Sequence, residues 1–486
     1  MNKKIFYILF LIVLLLLSTI STTVSAQQIS DGMQEILTIE GIWEGKLKVP
    51  GAELRIVAHI AITPEGTFSA TLDSPDQGVT GIPVDEIVFK DKSVHMEIKL
   101  IGGIFEGKLN EEFTMVDGTW QQAGFSFPLS LHRVEEAVEI KRPQEPEKPY
   151  PYTEEEVKYD NPAAKVTLAA TLTFPKGQGS FPAVILISGS GPQDRDEFLL
   201  GHRPFLVLAD YLTRQGIAVL RFDDRGVGES TGDFMAATSE DFATDVISGI
   251  AYLKTRSEID AQQIGLIGHS EGGLIAPMVA VQLPEVAFIV LMAGPGLTGE
   301  KIVLLQSALI SRAIGESEED IALNLDYNKK FFTLIKGESD KEILAEEVHK
   351  LFYDYFNKIS EEQKEIIGDP ELYINAQSQS MLSPWFRYFL TYDPKPALSK
   401  VKCPVLAING EKDLQVPPVE NLKAIEEALL NGGNRDFMVR ELPGLNHLFQ
   451  TAQTGSPEEY ALIEETIAPI ALKLMSDWIL AHVQLN

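Results

Sequence analysis

With 486 residues the chain is too long for one ordinary domain, and 44% apolar residues are enough to build substantial cores. A formal charge of −29 argues against nucleic acid or anionic lipid as a partner. Cys403 is the only cysteine, which excludes an internal disulfide and a zinc site built on cysteines.

Residues 1–26 have the pattern of a secretory signal: Lys3 and Lys4, then 13 apolar residues from Ile5 to Leu17, then Val24-Ser25-Ala26 at a cleavage site. The alternative is an uncleaved anchor, for which the run falls short of the roughly 20 residues of a membrane span. No cysteine stands near residue 26, so a bacterial lipoprotein anchor is not expected. The expectation is an exported bacterial protein, periplasmic or extracellular, with no stable membrane insertion once the signal is cleaved.

Residues 27–135 read as all-β. Gly41–Val49 alternates and turns at Pro50-Gly51; Leu54–Ile62 follows. Further strands fit at Thr67–Leu72, Glu86–Phe89, Val94–Leu100, Ile104–Leu109, Phe113–Val116 and Phe125–Leu131. About eight short strands with regular turn signals predict a small antiparallel barrel or sandwich. His59, His95 and His132 fall on separate strands without ligand spacing and read as ordinary strand residues. Residues 136–153 carry Pro143, Pro146, Pro149 and Pro151 among charges, the composition of a semi-rigid linker.

From 154 the pattern becomes α/β. Strands at Val166–Phe174, Ala183–Ile187, Ile217–Phe222, Ile264–Ile267 and Phe288–Met292 alternate with helices at Phe205–Arg214 and Phe242–Lys254. This predicts a doubly wound parallel sheet over 154–297 and 396–486, with its site at the carboxyl ends of the strands. Residues 298–395 interrupt it with helical periodicity alone, as a cap insertion. Its aromatic residues, among them Phe331, Phe352, Trp385 and Phe386, either fill the cap core or line an acyl or alcohol pocket. The sheet resumes at Pro404–Asn409. A helix at Val419–Leu430, a strand at Phe437–Glu441 and one long helix over Glu458–Val483 complete the chain.

The chemistry centres on Gly268-His269-Ser270-Glu271-Gly272, a G-x-S-x-G turn between the strand 264–267 and an apolar helix. Such an elbow exposes Ser270 Oγ as a nucleophile. A serine needs a base and an acid to orient that base, in the order Ser, acid, His for this fold. Asp413, in the loop after strand 404–409, is the preferred acid, with Glu411 as the alternative. Of the eight histidines only His447 and His482 lie beyond Asp413, and His482 sits in the terminal helix, so His447 is the base. The oxyanion requires backbone donors. One is the Glu271 N–H; the other comes from Ser188-Gly189-Ser190-Gly191-Pro192, with Ser190 preferred and Gly189 or Gly191 as alternatives. His269 reads as structural, Arg195 as a salt-bridged residue ordering its loop, and Asp223-Asp224-Arg225-Gly226 as charges bracing the sheet edge. No metal site is expected.

Five stretches occur in order: Ser188–Asp196, Asp223–Ser230, Gly268–Gly273, Gly410–Pro417 and Asn446–Phe449. Together they resemble the α/β-hydrolase superfamily over roughly residues 155–486, and within it the capped, exported bacterial esterases of the EstD type, which are similar to serine aminopeptidase-like hydrolases. Ser188 stands where many relatives carry His. The β-domain, with Asp73-Ser74-Pro75-Asp76-Gln77-Gly78, also resembles the N-terminal domain some of these esterases carry. The resemblance implies hydrolysis of a small-molecule carboxylic ester, with no cofactor. The rival expectations are an aminopeptidase or amidase using the same residues, or an envelope glycan- or lipid-binding protein with a vestigial hydrolase.

Overall fold

The computed structural model describes residues 39–485 apart from 50–51, 64–65, 78, 137–140, 178, 338–339 and 368. The leader expected over 1–26 lies outside the described residues.

Nine strands form one antiparallel sheet: β1 (Gly41–Val49), β2 (Ala52–Ile62), β3 (Phe68–Ser74), β4 (Val79–Pro83), β5 (Glu86–Lys90), β6 (Ser93–Ile98), β7 (Gly103–Leu109), β8 (Met115–Gln122) and β9 (Phe125–Val134). Their order is β4-β3-β2-β1-β9-β8-β7-β6-β5, so the two edge strands are neighbours in sequence and the sheet curls into a half-barrel. Alternate residues point inward, and Trp43, Phe105, Trp120 and Leu129 fill its core. The expected strand at 113–116 starts only at Met115. Phe113 adopts a left-handed φ of 59°, and Asn110 Oδ1 accepts from the Thr114 and Met115 amides, which makes this stretch a turn.

The second sheet contains β10 (Thr153–Asn161), β11 (Val166–Phe174), β12 (Phe181–Ile187), β13 (Ala218–Phe222), β14 (Ile259–His269), β15 (Ile289–Met292), β16 (Val405–Gly410) and β17 (Phe437–Leu442), in the order β10-β11-β13-β12-β14-β15-β16-β17. From β13 to β17 all neighbours are parallel, whereas β10 and β11 run antiparallel, so the sheet is mixed rather than wholly parallel. Helices α1 (Pro204–Arg214), α2 (Ser239–Leu253) and α3 (Glu271–Gln282) precede the cap. The cap consists of α4 (Gly299–Ala313), α5 (Glu318–Gly337), α6 (Lys341–Lys358), α7 (Glu361–Ile367), α8 (Pro370–Met381), α9 (Pro384–Thr391) and α10 (Lys395–Leu398), and α11 (Pro418–Asn431) and α12 (Pro469–His482) follow.

Both faces of the sheet are covered, which is why its strands read as continuous apolar runs. Val184 and Leu186 pack with α1 and α12 on one side. Ile185 and Ile187 pack with α2, α3, α11 and the cap on the other. The cap aromatics Phe331, Phe332, Phe352 and Phe386 are buried in that same core. The long terminal helix expected over 458–483 is instead a 3-10 turn at Pro457–Leu462 and then α12, because Pro469 lacks the N–H that a continuing helix needs and starts a new one.

The expected linker is docked rather than free. Arg142 donates to four carbonyls, those of Leu200, Gly201, Ala461 and Ile463, at 2.8–3.2 Å. Gln144 Oε1 accepts from the Thr466 and Ile467 amides. Leu200 packs against the half-barrel core. At the β8–β9 turn the Gly124 carbonyl accepts from Asp369 N, and Phe125 meets the cap residue Tyr373 edge to face at 5.2 Å. The half-barrel therefore touches both the α/β domain and the cap. Among the described residues no helix is long and apolar enough to cross a membrane.

Arg142→Ala removes four charge-assisted hydrogen bonds at once, and the expected loss is about 3 kcal/mol of unfolding free energy. A urea midpoint equal to that of the wild type contradicts this role for the linker.

Candidate active site

The strand ends bring the chemistry together. β14 leads into Ser270, whose backbone is held at φ 51° and ψ −116°, a strained conformation for a non-glycine residue. Two close approaches impose it. A Cβ on Gly268 would lie 2.0 Å from the Gly272 carbonyl oxygen, and one on Gly272 would lie 2.1 Å from the Ile187 carbonyl oxygen, so neither position admits a side chain. Ser270 N–H donates to Met292 O at 2.8 Å, tying the elbow to β15. The turn leaves Ser270 half-buried at the N-terminus of α3.

β16 delivers Asp413 and β17 delivers His447. His447 Nδ1 lies 2.8 Å from Asp413 Oδ2, with both side chains almost fully buried. Asp413 Oδ1 accepts from the Gln415 and Val416 amides at 2.8 Å each, which fixes the carboxylate independently of the histidine. Glu411, the alternative acid, is engaged elsewhere: its Oε2 accepts from Gly444 N. His482 lies in α12, with its Nδ1 donating to Trp478 O. The His447 loop is held from within, since Asn446 Oδ1 accepts from the Leu448 and Gln450 amides and Lys412 Nζ donates to the Ala452 and Gln453 carbonyls. The Asp413–His447 pair is thus assembled. Among the described residues the Ser270 hydroxyl has no hydrogen-bond partner, so its contact with His447 is not made.

The loop after β12 lies against Ser270: a Cβ on Gly189 would sit 3.3 Å from Ser270 Cβ. Its amides divide clearly. Gly189 N–H donates to Glu197 Oε1 at 2.6 Å, and Gln193 N–H donates to Asp224 Oδ2 at 2.9 Å. Pro192 has no N–H. Of the alternatives in this loop, Gly189 is therefore engaged, while the Ser190 and Gly191 amides have no partner among the described residues. Glu271 N–H is the first amide of α3, a position without an intrahelical acceptor. Ser188, the residue that departs from many relatives, donates its hydroxyl to Asp224 Oδ1 at 3.0 Å and so shares in holding the loop.

The Asp223-Asp224-Arg225 stretch braces these loops. Arg195 pairs in bidentate fashion with Asp223 and also bonds Glu156. Arg225 pairs in bidentate fashion with Asp245 of α2. Burial pushes Asp224 well above the ordinary carboxylate range, against the hydrogen bonds from Gln193 N and the Ser188 hydroxyl. Among the described residues no cluster of His, Cys, Asp and Glu could hold a metal ion. In the half-barrel His59 pairs with Asp73 at 2.7 Å, and His95 lies 3.4 Å from Glu106.

Residues 203–451 match the Hydrolase_4 family, serine aminopeptidase, S33. The chain belongs to this family. Over 294 residues it is 26% identical to the esterase EstD of Thermotoga maritima, a match covering 60% of this chain and 61% of that one, so the chain spans less than two thirds of that relative's length. Over 273 residues it is 28% identical to an uncharacterized 31.7 kDa protein in the traX-finO intergenic region of Escherichia coli, covering 54% of this chain and 84% of that one. Among solved structures, the esterase Pf2001 of Pyrococcus furiosus is similar at 17% identity and a TM-score of 0.41, over 68% of this chain and 90% of that one. Est1E of Butyrivibrio proteoclasticus with ferulic acid bound is similar at 16% identity and a TM-score of 0.37, over 66% of this chain and 96% of that one.

The sequence leaves three side-chain contacts around Ser270 unmarked. Glu197 pairs with His269, the residue before Ser270. Ser239 Oγ donates to Glu271 Oε1 at 2.5 Å, and Trp385 Nε1 of α9 donates to both Glu271 oxygens at 2.9 Å. The Glu271 carboxyl thereby tethers the cap to the elbow. Burial raises it to about 6, partly offset by the hydrogen bonds from Ser239 and Trp385.

This shift has a consequence for stability. An unfolded Glu271 titrates near the ordinary value of 4.5, the folded one near 6. Between these values the folded chain binds more protons, so stability falls as pH rises and stays lower above about 6. The fall is on the order of 2 kcal/mol. Glu271→Gln cannot ionise, so its stability relative to wild type improves by about that amount between about pH 4 and about pH 8 in urea unfolding. A difference that stays constant with pH contradicts the assignment.

Proposed function

We propose that this chain is a serine hydrolase that cleaves carboxylic esters through an acyl-enzyme on Ser270. The observation that carries this reading is the buried 2.8 Å contact between His447 Nδ1 and Asp413, set at the same strand ends as the strained Ser270. The Asp413 carboxylate accepts the His447 Nδ1–H and so leaves Nε2 as the proton acceptor. As substrate binds, the Ser270 hydroxyl closes onto Nε2, a contact that commonly tightens only in the complex. His447 takes the Ser270 proton as Oγ attacks the ester carbonyl. The oxyanion of the tetrahedral intermediate accepts from the Ser190 and Glu271 amides. The His447 imidazolium then protonates the leaving alcohol. Water, deprotonated by His447, attacks the acyl-enzyme and releases the acid.

The substrate in this reading is a small uncharged ester whose acyl or alcohol part lies beneath the aromatic α9. The esterase EstD resemblance supports an ester over an amide. The pattern of residues 1–26 supports export to the periplasm or the medium, with cleavage of the leader. A second reading keeps the mechanism and takes a free peptide amino terminus or an amide. It is favoured by the family's description and by the carboxyls of Asp224 and Glu271, which line a cavity behind the Ser188–Gly189 loop.

A p-nitrophenyl ester series from acetate upward, set against aminoacyl p-nitroanilides, tests both readings. Ester turnover is expected to exceed anilide turnover. Ser270→Ala is expected to lose at least ~10⁴-fold in kcat, and Asp413→Asn about 10³–10⁴-fold. Anilide turnover in excess of ester turnover favours the second reading. Ester turnover that survives in Ser270→Ala rules out both.

A further inference from the structure

His269 and Glu197 form a second buried histidine–carboxylate pair beside the first. Glu197 Oε1 lies 2.9 Å from His269 Nδ1 and also accepts from Gly189 N at 2.6 Å. On the other side of the ring, His269 Nε2 lies 3.1 Å from the backbone carbonyl of His447. A carbonyl has no proton to donate, and a carboxylate has none either. With Glu197 ionised, both ring nitrogens have to donate, which requires the imidazolium. Side-chain exposures of 7% and 4% place the pair out of water, where an isolated charge would be costly and a matched one is held firmly.

The backbone supports the same reading. Glu197 sits at φ 50°, the left-handed region that a non-glycine residue enters only under strain. Such strain persists where the surroundings over-determine it, and here the carboxylate is held at once by Gly189 and His269. The charged and titratable groups facing His269 are Glu197, Asp413 and His447, whose ring centroid is 4.9 Å away. Burial lowers the pKa of His269, and the facing Glu197 carboxylate more than compensates, leaving it above the usual histidine value.

We propose that His269, kept cationic by Glu197, is a positioning residue that joins the Gly189–Ser190 loop, the Ser270 elbow and the His447 loop. This rests on the acyl-enzyme reading of Ser270. The tie has three ends. Through Glu197 it engages the Gly189 amide and leaves the next amide, Ser190, free to face the substrate. Through the chain it is the residue before Ser270. Through its Nε2–H it holds the backbone of His447.

The test uses the full chain with ¹⁵N-labelled histidine, His269 being assigned as the signal lost in His269→Gln. At about pH 8 both His269 nitrogens are expected to be protonated in the wild type, and one is expected to lose its proton in Glu197→Gln. With a p-nitrophenyl ester, His269→Gln and Glu197→Gln are expected to lose about 10- to 100-fold in kcat, with KM within about 3-fold. A neutral His269 in the wild type at that pH overturns the proposal, as does an unchanged kcat in folded His269→Gln. Should His269→Gln fail to fold, the His269 ring is assigned through its own backbone resonances in uniformly labelled wild type, and that spectrum still decides the protonation state. A wild type that turns over no ester removes the esterase reading, while the protonation of His269 is read independently of turnover.

Discussion

The constraint on which the rest of the site depends is the close packing of backbone against backbone at the elbow. Gly268 lies against the Gly272 carbonyl, and Gly272 against the end of β12, at distances that leave no room for a methyl group. That packing forces Ser270 into a conformation no strand or helix would adopt, and so lifts its side chain clear of both. The same approach of α3 to β12 brings the first amide of the helix next to the Ser188–Pro192 loop. Ser270 and the Glu271 amide are thus set by one contact, and a single added carbon at either glycine displaces both.

Around this point the protein concentrates buried charge. Asp413, Asp224, Glu197 and Glu271 lie within the carboxyl edge of the sheet, and each is engaged by donors that fix a loop. Asp413 holds the base. Asp224 and Glu197 hold the loop after β12 through Ser188, Gln193 and Gly189. Glu271 holds the cap through Trp385. Buried ionisable groups are poor contributors to stability in themselves, and the raised Asp224 and Glu271 carboxyls express that cost directly. They are sensibly read as the means by which four loops from different strands keep a fixed relation to Ser270.

The sequence made the skeleton of this arrangement legible because its signals are local. The elbow, the order Ser270, Asp413, His447, and the change from alternating strands to helices at 298 each show within a few residues. What it did not show depends on distant partners. Glu197 and His269 are 72 residues apart and Glu271 and Trp385 are 114 apart, and nothing in either neighbourhood marks the pair. The antiparallel strand β10 was passed over because Glu154, Glu155 and Glu156 mask its alternation. The docked linker was read as a spacer because its anchor, Arg142, binds backbone carbonyls, which leave no trace in side-chain identity. The break before α12 was visible in Pro469, and the apolar periodicity on either side outweighed it.

The most direct measurement is covalent capture of the nucleophile. The purified chain would be treated with a fluorophosphonate or a slowly deacylating p-nitrophenyl ester, digested, and read by mass spectrometry. An acyl-enzyme mechanism predicts one stoichiometric adduct, on the peptide containing Ser270, with labelling slowed strongly in His447→Ala. An adduct on any other residue, or no adduct with a folded chain, would contradict it.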